Sequence, residues 1–293
     1  MPHRTAIRIR DPYVLAEHND RFYYLYGTTD DNVWNGPATG FDVYRSRDLD
    51  NWEGPYPAFR PEPGFWADRH YWAPEVYSYN GRYYMFASFK SEHRRRGTQV
   101  LVAKGPLGPF EPLTGEPVTP REWECLDGTL HLDGNGSPWI VFCHEWLQVK
   151  DGKMCAMPLK EDLRRAAGKP VVLFSASEAP WTKAGQDGTV YVTDGPFLHR
   201  LADGGLLMLW SSSSRNGYAI GVARSESGSV TGPWTHDPEP LLPEEGGHGM
   251  LFRAFDGGLV LAMHAPNKQP NERAVFIRME EKGGKLKPLR SGI

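Results

Sequence analysis

An all-β chain, folded as a five-bladed propeller with four antiparallel strands per blade, is what this sequence predicts. Three observations carry the prediction. The first is composition: 10 Trp, 13 Tyr, 13 Phe, 32 Gly and 25 Pro among 293 residues favour short aromatic strands broken by turns over helices. The second is pairing, because strand-like runs come in twos around turn-forming dipeptides. The third is a repeat. Five times a polar, ionisable residue beside Pro or Gly leads into an apolar run: Arg10-Asp11-Pro12-Tyr13-Val14, Trp72-Ala73-Pro74-Glu75-Val76, Leu126-Asp127-Gly128-Thr129-Leu130, Thr193-Asp194-Gly195-Pro196-Phe197 and Gly246-Gly247-His248-Gly249-Met250. The leading residues stand 64, 52, 67 and 54 positions apart, room for four short strands each. A β-sandwich of similar strand content would not explain the fivefold return.

The units follow in order. Runs at 12–16 and 22–28 flank the turn Glu17-His18-Asn19-Asp20, and a third run follows at 41–46. In the second unit, 76–79 and 83–88 flank Asn80-Gly81, the strongest hairpin dipeptide, and 98–103 follows. In the third, 129–132 and 138–143 flank Asp133-Gly134-Asn135-Gly136, with 153–158 next. The fourth pairs 197–201 with 206–211 around Ala202-Asp203-Gly204-Gly205 and adds 218–224; the fifth pairs 250–255 with 259–263 around Asp256-Gly257-Gly258 and adds 273–278. Turns such as Gly105-Pro106-Leu107-Gly108-Pro109 and Thr231-Gly232-Pro233-Trp234 then lead to short outer segments, where Trp52 and Trp234 are expected as blade-edge packing. The one helical-looking piece, 160–167, reads as a turn in a blade connection. Nothing marks a linker, so the expectation is one propeller domain over 1–293.

A net charge of -3 leaves no electrostatic footprint for nucleic acid or an anionic membrane. No apolar run reaches the roughly 20 residues of a membrane helix. The start, Met1-Pro2-His3-Arg4, leads straight into structure without a signal-peptide core. The expectation is a cytoplasmic monomer, or a secreted one if a leader was trimmed. The odd count of three cysteines, Cys125, Cys143 and Cys155, has no zinc spacing and predicts reduced, partly buried thiols.

In a propeller the residues that begin the innermost strands converge on one mouth of the central channel, and the second strands end on the same face. The first set is Asp11, Glu75, Asp127, Asp194 and His248; the second lies around 28–30, 88–90, His144-Glu145-Trp146, 211–213 and His264. Converging carboxylates suit glycosidic hydrolysis, in which one carboxylic acid protonates the leaving oxygen and a second carboxylate activates water or attacks carbon. Trp34, Trp72, Trp146 and Trp210 near this face are candidates to stack on sugar rings, with Glu75, His144, Ser211 and His264 as polar contacts. For Glu75 a structural hydrogen bond is an equal alternative, and for His144 and His264, packing. Arg94-Arg95-Arg96 reads as a solvated loop tip, the alternative being a rim contact to an acidic sugar.

With these motifs in these positions, nearly the whole chain resembles glycoside hydrolase family 43. The resemblance implies a five-bladed propeller that inverts the anomeric carbon. It places the general base on Asp11, a carboxylate that orients and tunes the acid on Asp127, and the acid at the start of the fourth blade. Where the family usually has Glu in a Glu-Gly-Pro motif, this chain has Asp194, shorter by one methylene, about 1.5 Å of reach. Asp194 is the first candidate acid; Glu145, across the funnel, is the alternative. The resemblance also implies a structural calcium ion held largely through water near His248, and no organic cofactor. The implied substrate is an arabinose- or xylose-containing plant oligosaccharide, cut at α-L-arabinofuranosyl or β-D-xylosyl linkages. Two readings from other classes stand beside it: a carbohydrate-binding propeller without turnover, and an interaction scaffold, which would have no need of converging carboxylates.

Overall fold

The protein is described here from a computed structural model covering residues 1–185, 187–242 and 245–289. Five four-stranded antiparallel sheets follow one another along the chain, each a contiguous segment. Blade 1 holds β1 (Arg10–Glu17), β2 (Phe22–Thr28), β3 (Phe41–Ser46) and β4 (Glu53–Phe59); blade 2 holds β5 (Arg69–Tyr79), β6 (Arg82–Lys90), β7 (Gly97–Ala103) and β8 (Glu111–Pro112). Blade 3 holds β9 (Cys125–Leu132), β10 (Pro138–His144), β11 (Lys153–Pro158) and β12 (Val171–Ser175). Blade 4 holds β13 (Asp194–Arg200), β14 (Leu206–Ser214), β15 (Gly217–Ser225) and β16 (Thr235–His236); blade 5 holds β17 (Gly247–Arg253), β18 (Leu259–Ala265), β19 (Arg273–Lys282) and β20 (Lys285–Pro288). The innermost strands β1, β5, β9, β13 and β17 touch their neighbours in a closed ring, which is the predicted five-bladed propeller. The segment 160–167 is turns and bends, as expected. A one-turn α1, Trp146–Val149, was not foreseen.

The core lies between blades. Alternating strand residues point to opposite sheet faces, and those faces carry the aromatics that the composition supplies. Phe41, Phe59, Tyr71 and Phe89 interlock between blades 1 and 2, with Tyr71 and Phe89 ring centroids 4.8 Å apart. Trp52 and Trp210 are fully buried; each such side chain contributes about 2–3 kcal/mol through burial alone. Trp52 and Trp234 each tie their indole N–H to a nearby carbonyl, of Leu49 and Val230, as blade-edge packing requires. Cys125, Cys143 and Cys155 are free and buried.

One local geometry recurs in every innermost strand and positions the site. A β-bulge breaks the register near its start, and the residue in the bulge has positive φ: Asp11 (51°), Ala73 (46°), Asp127 (54°), Gly195 (52°) and His248 (53°). For a non-glycine residue this conformation costs on the order of 1 kcal/mol or more. It turns the side chain out of the strand alternation and toward the channel axis. The sequence alignment of the repeat is thereby corrected at two blades. The bulge residue of blade 2 is Ala73, not Glu75, and that of blade 4 is Gly195, not Asp194. Gly195 is required there, because a Cβ would lie 2.8 Å from the His248 ring.

Candidate active site

At one mouth of the channel the bulges open into a cavity of about 630 Å³. Its lining includes Asp11, Asp127, Asp194, His248, Glu145, Trp34, Trp72 and Trp146, all anticipated, Arg96, anticipated only as the alternative of a rim contact, and Arg10, His70, Leu147 and Tyr218, which were not anticipated. His248 sits at the centre: its Nδ1 lies 3.2 Å from Asp11 Oδ1 and 3.8 Å from Asp127 Oδ2. Asp127 Oδ2 also accepts the Gly195 backbone N–H at 2.9 Å, one residue from Asp194. Asp194 Oδ2 accepts the Tyr218 hydroxyl at 2.9 Å. Tyr218 can approach because Gly247 leaves room; a Cβ there would lie 2.0 Å from the Tyr218 ring.

The three carboxylates differ in electrostatic setting. Burial alone would raise Asp11, but the His248 imidazolium, the Arg10 guanidinium and His264 outweigh it and hold Asp11 well below the usual carboxylate range. The Thr28 hydroxyl donates to Asp11 Oδ2 at 2.7 Å and favours the same charged form. Asp194 moves the other way, pushed up by burial and then by the neighbouring Asp127 charge. Asp127 is also raised, by burial first and by Asp11, against the pull of His248 and the Gly195 N–H. His248 is lowered by burial, but Asp11 and Asp127 overcome this and bring it up to about 9.

The other anticipated residues divide. Glu145 reaches the cavity, but its Oε2 is bonded to Arg96 Nη1, with side-chain exposures of 6% and 1%. Its carboxylate is paired with that guanidinium. Arg96 is therefore no loop tip. Its guanidinium lies 4.2 Å over the Trp72 ring and 2.8 Å from His70 Nδ1, and His70 stacks on the same indole at 4.4 Å. Groups so close to each other share one face of Trp72, so that face is covered. Trp34 is half-exposed, with Arg10 at 5.1 Å over its ring. Trp146 and Leu147 reach the cavity on α1.

Five expected substrate contacts lie elsewhere. Trp210 is packed between blades against Trp181 and Phe174, because it alternates with Ser211 and points to the sheet face rather than the channel. Ser211 is fully buried and accepts the His248 backbone N–H at 2.8 Å. His144 stacks on Trp123 at 4.2 Å and bonds Gln148, outside the cavity lining. Glu75 lies deeper, bonded to the Tyr77 hydroxyl, and burial pushes it up to about 7; it takes the structural role left open for it. His264 has a fully buried side chain: Nδ1 accepts the Asp11 backbone N–H at 3.2 Å and Nε2 faces Asn267 Oδ1 at 3.2 Å. That tautomer is neutral, and burial brings His264 down to about 4.

The expected calcium site, held largely through water near His248, is not a site built of side chains. Among the described residues no group of three or more His, Cys, Asp or Glu converges as metal ligands, and His248 turns Nδ1 toward two carboxylates. Its protein donors do not fit a cation held by side chains, and no step below runs through a metal.

Comparison with known proteins adds the chemistry that such a cavity performs elsewhere. The family described as Glycosyl hydrolases family 43 matches residues 5–281. A crystal structure of an endo-arabinase from Bacteroides thetaiotaomicron superposes with a TM-score of 0.90 at 42% identity, covering 97% of this chain and 99% of that one. An extracellular exo-α-(1→5)-L-arabinofuranosidase of Cellvibrio japonicus is 27% identical over 84% of this chain and 72% of its own length. An extracellular endo-α-(1→5)-L-arabinanase of Bacillus subtilis is 24% identical over 82% and 71%.

Proposed function

The chain belongs to glycosyl hydrolase family 43 and is a glycosidase; from that premise we propose that it hydrolyses α-L-arabinofuranosyl linkages in oligosaccharides with inversion at the anomeric carbon. The observation that carries this reading is the contrast of charge around one cavity. Asp11 is held as a carboxylate while Asp194, on another blade, is pushed toward its protonated form. An inverting pair needs one of each. Asp11 takes a proton from a water molecule as that water attacks the anomeric carbon. Asp194 gives its proton to the departing glycosidic oxygen. Asp127, bonded to the Gly195 N–H beside it, repels a charge on Asp194 and keeps the acid loaded.

The cavity also supports a neutral sugar. Its buried cations are each matched: Arg10 with Glu272 at 3.0 Å, Arg96 with Glu145, and His248 with Asp11. No unmatched cation among these remains for a uronic acid. The two aligned relatives are named an exo-α-(1→5)-L-arabinofuranosidase and an endo-α-(1→5)-L-arabinanase, and the 42% identical structure an endo-arabinase, which favours arabinofuranosyl over β-D-xylosyl units.

Early-time NMR of products from linear α-(1→5)-arabino-oligosaccharides, with linear xylo-oligosaccharides and Asp11→Ala in parallel, tests the proposal. The expected first product is an arabinofuranose end of inverted configuration. Retention, or release from the xylo-oligosaccharides alone, would overturn it. Tight sugar binding without any product would favour the non-hydrolytic reading instead.

A further inference from the structure

The five bulges are linked around the channel by one repeated hydrogen bond, and the repeat fails once. At the end of each second strand, the residue paired beside the bulge accepts the backbone N–H of the next blade's bulge residue. Thr28 Oγ1 takes Ala73 N–H at 2.9 Å, Ser88 Oγ takes Asp127 N–H at 2.8 Å, Ser211 Oγ takes His248 N–H at 2.8 Å, and His264 Nδ1 takes Asp11 N–H at 3.2 Å. The register puts Cys143 at the corresponding place in blade 3, opposite Leu126 as Ser211 is opposite Asp194. A thiol is a weak acceptor. The Gly195 N–H of blade 4 goes instead to Asp127 Oδ2, at 2.9 Å. At the same junction the Cys143 thiol faces the buried Thr193 hydroxyl, which has no oxygen or nitrogen partner of its own.

We propose that Cys143 is a positioning residue: by withholding an oxygen or nitrogen acceptor at the blade 3–blade 4 junction, it releases the Gly195 N–H to fasten the Asp127 carboxylate beside Asp194. The other four junctions spend this donor on structure. Here it is diverted to the site, and it is the junction where the two carboxylates meet. The inference rests on the reading of Asp194 as the acid and deepens it.

The consequence for pH follows from the groups around the pair. Asp127 is faced by His248 from β17, Asp11 from β1, Glu75 from β5 and Arg96 ahead of β7; Asp194 is faced by Tyr218 from β15, His248 from β17, Glu145 after β10 and Asp127 itself. A donor to the charged form of Asp127 favours that form. If Gly195 N–H turned away, Asp127 would hold its proton more readily, repel Asp194 less, and let Asp194 lose its proton at lower pH.

The test is Cys143→Ser, which supplies an acceptor, against Cys143→Ala, which supplies none. Two readouts are followed: the pH profile of kcat on an arabino-oligosaccharide, and the Gly195 amide resonance in protein labelled with nitrogen-15 at glycine. The serine variant should lower kcat by roughly 3- to 10-fold with little change in KM, move the basic limb down by about half a pH unit, and shift the Gly195 amide. The alanine variant should keep the limb and the amide in place even where loss of the buried sulfur lowers Tm. Wild-type behaviour of the serine variant on both readouts overturns the inference, as do equal shifts in both variants, which would mean packing. A Gly195 shift confined to serine, in a chain whose wild type turns over no arabino-oligosaccharide, would sustain the positioning and sink the assigned reaction.

Discussion

Asp11 and Asp194 are the same residue type on two walls of one cavity, and their surroundings treat them in opposite ways. The blade 5–blade 1 wall surrounds Asp11 with an imidazolium, a guanidinium and the Thr28 hydroxyl, so burial fails to neutralise it. On the blade 3–blade 4 wall Asp194 has one phenol and a lesser pull from the same imidazolium, set against the charges of Asp127 and Glu145, so burial prevails. What differs is neither depth nor residue type but the supply of partners, and in the proposed reaction that supply divides base from acid.

The comparison is broken most severely by Asp11→Asn, which removes the one carboxylate held charged. Activity should fall by ~10⁴-fold with KM little changed, measured by steady-state kinetics on arabino-oligosaccharides. Residual activity within tenfold of wild type would mean that another group activates water. Asp194→Asn comes next. It should cost ~10³-fold on a natural linkage and far less on an aryl glycoside, whose leaving group needs no proton. The same variant should gain stability as pH rises. A carboxyl raised in the folded state holds its proton more tightly there than in the unfolded chain. Its contribution is therefore favourable below the ordinary value of 3.8 and is lost as pH climbs above it. An Asn, which never ionises, escapes that loss, so urea midpoints of variant and wild type should draw apart from acid to alkaline pH, the variant ahead.

Glu145→Gln sharpens the contrast from outside it. Leaving Arg96 buried and unpaired should cost ~3 kcal/mol of stability by urea titration. Any kinetic loss should be the same for good and poor leaving groups; a loss concentrated on poor ones would restore Glu145 as the acid. Tyr218→Phe is the mildest change. It removes a donor to the charged form of Asp194, so the basic limb of the pH profile should move upward, by an amount corresponding to about 1 kcal/mol or less.

The blades were legible in the sequence because turn chemistry is local. Asn80-Gly81, with φ of 47° and 75°, makes the hairpin that its residues announce. Asp11, Asp127 and His248 were legible because an ionisable residue beside Gly or Pro marks a strained turn next to a strand. The same rule misaligned blades 2 and 4, where the bulge falls on Ala73 and Gly195 and the ionisable residue stands beside it. Trp210 misled although strand alternation was available: with Ser211 turned to the channel, its neighbour had to face the sheet interface. Arg96 was legible only as the alternative of a rim contact, and Tyr218 was invisible, for another reason. Their partners, Glu145 and Asp194, lie on other strands, and no spacing along the chain encodes that meeting.

Each sheet is a contiguous stretch of chain, so no strand from the beginning of the protein is woven into the final blade. The ring is latched at the β1–β17 seam by side-by-side contacts: Ile9 N–H to the Glu272 carbonyl, the Arg10–Glu272 ion pair, and Asp11 N–H on His264. Asp11 and His248 sit on its two jaws, 3.2 Å apart across the seam. Any strain that parts the seam should therefore abolish catalysis while most of the blades are still intact.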